Sequence, residues 1–248
     1  MNRPILYIFA ISHYCEKARW ALDYLDIDYE LHALAPGAHV RKARSMGLKH
    51  GALPILAADG EVIQGSADIV SWAEANATGS RSLSSADTRD QCLTIERRLD
   101  DILGVHLRRY YYSEALVEYP ATVRPIFQHR LSAFEAFKLQ LAWPIIRKFM
   151  IKGMDLGPEQ RRDSLDRLAG ELDWLDGQLG DGRRFLVGDN LSRADIAAAS
   201  LLAPIIKPET HPEYHRVILP PKFIAETAHW NDRPTLRYVH QIYTGHRL

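Results

Sequence analysis

The feature that most constrains this chain is a change of hydrophobic period near residue 77. Ahead of that point the pattern mixes strands and helices. Residues 4–11 (PILYIFAI) are β-branched and aromatic, as in a buried strand. From about Tyr14 to Leu25 the period becomes helical, with Ala18, Ala21, Leu22 and Leu25 on one face. Tyr29 to Leu34 reads as a second strand, Pro36-Gly37 breaks it, and a polar, basic stretch runs on to Lys49. An apolar strand then starts at Leu53, Asp59-Gly60 gives a hairpin turn signal, and Glu61 to Ile63 form the return strand. Gly65-Ser66 precedes a short helix over Ala67 to Ala75, with Ser66 in the place of an N-cap.

Residues 77–88 (ATGSRSLSSADT) carry the Ser, Gly and Thr of a linker. Beyond them the pattern is helical almost throughout. Leu93, Leu99, Ile102, Leu103 and His106 share a face, and one long amphipathic segment runs from about Pro125 to Ile151. Pro158 stands where the first residue of a helix would be, ahead of leucines spaced by three or four from Leu165 to Leu179. Ser192-Arg193-Ala194-Asp195 has the form of a capping box, and the apolar run Ile196 to Ile206 behind it predicts a helix buried on most faces. One more helix is expected near Thr235 to Tyr243. The expected architecture is a small α/β domain (residues 1–77), a linker (78–88) and an all-α domain (89–248).

Charge narrows the partners. Lys plus Arg and Asp plus Glu are both 31, so no global field draws nucleic acid or an anionic membrane, and an anionic ligand needs a local site. No run approaches the ~18 apolar residues of a membrane span. The two cysteines, Cys15 and Cys92, form no Cys-x-x-Cys pair and no zinc-type spacing, so no metal site is expected. Their number suits a reducing, cytoplasmic setting.

Three segments resemble motifs of the cytosolic glutathione transferases. SHYCEKARWAL (Ser12 to Leu22) is similar to that family's active-site turn and first helix. Gly51-Ala52-Leu53-Pro54-Ile55-Leu56 is similar to its loop ending in a cis-proline. Phe185 to Asp189, followed by Leu191 to Ile196, resembles its Gly-Asp turn and capping box. The resemblance implies a thioredoxin-like α/β N-terminal domain that binds glutathione as co-substrate, and an all-α helical C-terminal domain that holds a small electrophilic or disulfide substrate. It also implies a homodimer.

Within that resemblance the candidate catalytic residues are Ser12, Cys15 and Tyr14. A helix N-terminus favours a negative charge nearby, so the turn suits a thiolate. Ser12 can hold the glutathione sulfur, or Cys15 can form a mixed disulfide with it; Ser-x-x-Cys leaves no internal dithiol at this turn. Against these stand an Ser12 that only caps the helix and a Cys15 that is a small buried apolar residue. The resemblance assigns glutathione contacts to Leu53 and Pro54 and to Gln64-Gly65-Ser66 for the γ-glutamyl end; Lys49 and His50, just ahead of the proline loop, either pair with the glycyl carboxylate or form a solvated basic loop. Gly65 departs from the family, which has an acidic residue there, and that departure leaves room for a non-catalytic binding protein. Tyr111 and Tyr112, with Tyr110, Tyr119, Trp143 and Phe149 behind them, are candidates to line an apolar pocket. His13, beside the site, is expected to face solvent at the pocket's edge.

Overall fold

The computed structural model describes residues 3–247. The N-terminal part runs β1 (Ile5–Ile8), α1 (His13–Tyr24), β2 (Glu30–Ala33), α2 (Ala38–Ser45), β3 (Ile55–Ala58), β4 (Glu61–Gln64) and α3 (Ser66–Asn76). The sheet order is β2-β1-β3-β4, with β1 parallel to β2 and antiparallel to β3. Asp59 and Gly60 both have positive φ (45° and 87°), as a tight hairpin between β3 and β4 requires.

The sequence pattern does not reveal α2. Its eight residues AHVRKARS include five polar or basic side chains, and only Ala43 is buried. A helix lying on the surface carries too narrow an apolar stripe to be read. The expectation for α3 also needs correcting. Gly65, not Ser66, is its N-cap, with φ 104° and no side-chain capping bond, and Ser66 is the first helical residue. A φ in that range suits glycine, which accounts for the residue found there.

Residues 77–88 contain no regular element but are not a loose tether. Leu83 is buried, and its carbonyl accepts the Arg193 amide at 2.9 Å. The helical part then begins with α4 (Arg89–Arg98), which passes through a π-helical stretch (Leu99–Gly104) into α5 (Val105–Glu118). The single helix expected over residues 125–151 is two: α6 (Pro120–Gln128) and α7 (Ala133–Gly153). Ser132 and Glu135 form a complete capping box, which starts a new helix in mid-segment. α8 (Pro158–Leu179) and α9 (Arg193–Ile206) follow, and α9 has the expected Ser192/Asp195 box. Two further helices, α10 (Pro221–Thr227) and α11 (Pro234–His246), close the chain.

Two helices form the centre of the molecule. α1 and α9 are buried around most of their circumference, charged residues included. Those charges are paired. Lys17 Nζ donates to Glu96 Oε1 at 3.0 Å and to Asp100 Oδ2 at 2.5 Å. Arg193 donates to Glu96 Oε2 at 2.5 Å and Glu74 Oε2 at 2.7 Å. Arg247 closes a second pair with Glu16 at 2.7 Å. Removing one member of such a cluster strands a buried charge, so the cluster fixes how α1 and α3 sit on α4 and α9. By contrast, α7 leaves an apolar stripe in water: Phe134, Phe137, Leu141, Ile145 and Phe149 are 57–72% exposed. Among the described residues no helix is long and apolar enough to cross a membrane.

Candidate active site

The chain leaves β1 and turns at Ser12 into α1. Ser12 Oγ accepts the Cys15 amide at 3.4 Å, so the serine does cap the helix. The amides of His13 and Tyr14 donate to no group among the described residues. Unpaired first-turn amides and the helix dipole make this a place where an anion is stabilised.

Opposite this turn is the loop before β3. The Leu53-Pro54 peptide is cis, as the resemblance implies. Leu53 shares no hydrogen bond through its own N–H or C=O with any described residue, so both are available to an extended peptide lying alongside. Gln64 Nε2 holds the loop in place by donating to the carbonyls of His50 and Ala52, each at 2.8 Å. The Gly65 amide donates to the Pro54 carbonyl at 3.0 Å.

Between the turn and the loop lies a cleft of about 370 Å³, with walls from both halves of the chain. Phe9, Ile11, Ser12, His13, Tyr14, His39, Val40 and Gly51 to Leu53 contribute from the α/β half. Leu107, Arg108, Tyr111 and Tyr112 form one face of α5, and Phe127, Met150, Met154, Pro204, Tyr214 and Val217 complete the lining. The lining is mostly apolar, and Arg108 is its one Lys, Arg, Asp or Glu residue.

The turn is joined to the π-helical stretch by two adjacent side chains. Tyr14 Oη donates to the Asp100 carbonyl at 2.6 Å, and His13 Nε2 lies 3.1 Å from the Gly104 carbonyl. The approach is close enough to demand glycine. A Cβ on Gly104 would stand 2.5 Å from Tyr14 Oη and 3.0 Å from Leu201 Cδ2. A π-helical turn inside a longer helix is uncommon and is found frequently at functional sites.

Several expectations change here. His13 does not face solvent: it is 6% exposed, and burial, helped by the Arg108 charge, lowers its pKa to about 3. The neutral ring donates through Nε2 to Gly104. Cys15 is 1% exposed, and burial pushes its thiol up to about 11 despite the helix N-terminus and the hydrogen bond from Ser12. Desolvation outweighs the dipole because the side chain points into the core rather than the cleft. Tyr14 lines the cleft, but its hydroxyl proton is given to Asp100 and burial raises its pKa, so it is no ready thiolate partner.

Tyr111 and Tyr112 line the cleft, whereas Phe149 faces water and Tyr110 bonds to Glu226 at 2.6 Å. Lys49 and His50 are exposed and stand outside the lining, as do Pro54, Gln64, Gly65 and Ser66. Three residues were not legible from the sequence. His39 lies on the unread α2, with its Nδ1 accepting the Gly37 amide at 3.0 Å and its ring against Phe9. Tyr214 comes from a tail with no motif. Asp68 sits in the first turn of α3, where a Cβ on Gly65 would be 3.8 Å from its Oδ2. Asp68 therefore places a carboxylate beside the glycine that lacks one. Among the described residues no group of three or more His, Cys, Asp or Glu is placed to share a metal ion.

A family model for the glutathione S-transferase N-terminal domain matches residues 6–81, and one for the C-terminal domain matches residues 134–216. The chain belongs to the glutathione transferase superfamily. Solved structures agree with this fold at low identity. A glutathione transferase of Phanerochaete chrysosporium is 13% identical with a TM-score of 0.63, over 98% of this chain and 97% of that one. A beta-etherase of a Sphingobium strain is 17% identical with a TM-score of 0.61, over 96% and 98%. A glutathione transferase from poplar is 14% identical with a TM-score of 0.58, over 98% and 99%. No curated protein sequence matches this one.

Proposed function

We propose that the chain is a glutathione transferase in which Ser12 and the free amides of His13 and Tyr14 hold the glutathione thiolate for attack on a small, largely apolar electrophile. The observation that carries this reading is the cleft itself: Ser12, the unpaired backbone of Leu53 and the apolar face of α5 all open onto it. The thiol proton leaves to solvent, sulfur forms the new bond, and the leaving group departs from the electrophile. Catalysis is then positioning plus stabilisation of the nucleophile. Asp68, beside the open N-terminus of α3, is the carboxylate available to the γ-glutamyl ammonium, with Ser66 and the first-turn amides for its carboxylate. Asp68 answers the departure at Gly65 and favours a catalytic reading over a non-catalytic binding protein. A Cys15-dependent glutathionyl transfer is disfavoured by the depth of Cys15 in the core.

The test is glutathione affinity and conjugation of a neutral aryl halide by wild type and Ser12→Ala. Loss of a hydrogen bond to the thiolate should raise the pKa of the bound thiol by about 1–2 units. Absence of binding at millimolar glutathione, or an unchanged thiol pKa in Ser12→Ala, overturns the reading.

A further inference from the structure

Arg108 is an unpaired cation in an apolar wall. It appears in no ion pair or hydrogen bond among the described residues, and its Nε–H is buried without a partner. No Asp or Glu lines the cleft to balance it, and both lining histidines, His13 and His39, have their pKa lowered by burial. One helical turn on, at the spacing that brings side chains together, Tyr111 has a buried hydroxyl that is also unpartnered. Arg193 is matched with two carboxylates and Arg247 with Glu16 and Asp23, whereas Arg19 and Arg124 also keep a buried Nε–H without a partner; what sets Arg108 apart is its place in the wall of the cleft. Unpaired donors in a desolvated wall are costly unless a ligand completes them.

We propose that the second substrate is an aromatic electrophile bearing a carboxylate or an equivalent anion, and that Arg108 binds the anion while the apolar lining takes the ring. The proposal rests on the transferase reading above for the identity of the site, but anion binding can be read without glutathione. The probes are 4-chloro-3,5-dinitrobenzoate and its methyl ester, which differ in charge at one group. In conjugation the thiolate of glutathione forms a C–S bond at the ring carbon, chloride leaves with the C–Cl pair, and the thiol proton goes to buffer.

The primary measurement is the dissociation constant of each probe by titration calorimetry, without glutathione, for wild type, Arg108→Leu and Arg108→Lys. Wild type should prefer the acid over the ester by about 10- to 100-fold, and Arg108→Leu should erase that preference. Arg108→Lys, which keeps the charge and loses the planar fork, should retain part of it. Equal affinity for acid and ester in wild type, or a preference that survives Arg108→Leu, overturns the proposal. So does an equal fall for both probes in conjugation together with a raised thiol pKa of bound glutathione, which would assign Arg108 to the thiolate. Preference for the acid without any glutathione binding would uphold the anion site and refute the transferase.

Discussion

Cys15 gives the sharpest test of how the turn works. Its thiol is 1% exposed and its pKa is raised from 9.0 to about 11. Two units leave about 100-fold less thiolate at neutral pH than an unperturbed cysteine has, before any cost of exposing the side chain. Alkylation by iodoacetamide at pH 7.5, followed by mass spectrometry of the native protein, should therefore run at least ~100-fold slower at Cys15 than for free glutathione. Cys92 is also buried, so both sites should stay largely unmodified until denaturant is added. The same shift has a thermodynamic signature. The folded pKa lies above the unfolded one, so the stability from keeping Cys15 neutral is complete below pH 9 and is lost as pH rises towards 11. The loss amounts to about 3 kcal/mol, and Cys15→Ala should flatten that limb of the urea-denaturation profile. Labelling of native Cys15 as fast as free glutathione would refute the argument that burial defeats the helix dipole here, and would return the mixed-disulfide chemistry to consideration.

Three more outcomes follow from the geometry. Glu96→Ala removes the shared acceptor of Lys17 and Arg193 and should lower urea-denaturation stability by about 3–5 kcal/mol. Asp195 accepts from the Leu186 and Ser192 amides, from Ser192 Oγ and from Tyr238, so Asp195→Ala should cost several-fold more than the ~1 kcal/mol expected for Ser192→Ala, read by the same assay. His13 has a folded pKa of about 3 against an ordinary 6.5, so its contribution is present above pH 6.5 and is lost as pH falls towards 3. His13→Asn should reduce the slope of stability against pH in that window by about one proton.

The parts of this fold that the sequence made legible are those where local chemistry acts alone. The Ser192/Asp195 box, the Asp59-Gly60 hairpin and the first strand, which occupies Ile5–Ile8 within the 4–11 expected, are each specified within a few residues of chain. The unread parts depend on distant packing. α2 has too little buried surface to carry a period, and the 129–132 break depends on a cap inside an otherwise continuous amphipathic pattern. The site shows the same division. Ser12 and Leu53 stand out because their turns are local, whereas the burial of His13 and Cys15 follows from α1 lying under α9 and the π-helical stretch. Tyr214 enters the cleft from 200 residues away in sequence, where no periodicity could point to it.

The π-helical stretch has one last consequence. His13 is fastened to the carbonyl of Gly104, and Arg108 is four residues, one helical turn, further along the same rod. The turn at Ser12, the nucleophile's seat on the proposed reading, and the Arg108 cation are thereby set at a constant separation, with glycine at the junction leaving no slack. On the proposed reading the cleft would measure its guests: a molecule would be accepted by the span between its reactive carbon and its acidic group, much as a gauge block is accepted by a caliper. A series of aryl halides carrying a carboxylate on side chains of increasing length should show one preferred length, and Gly104→Ala, by prising the junction apart, should shift that length rather than simply weaken binding.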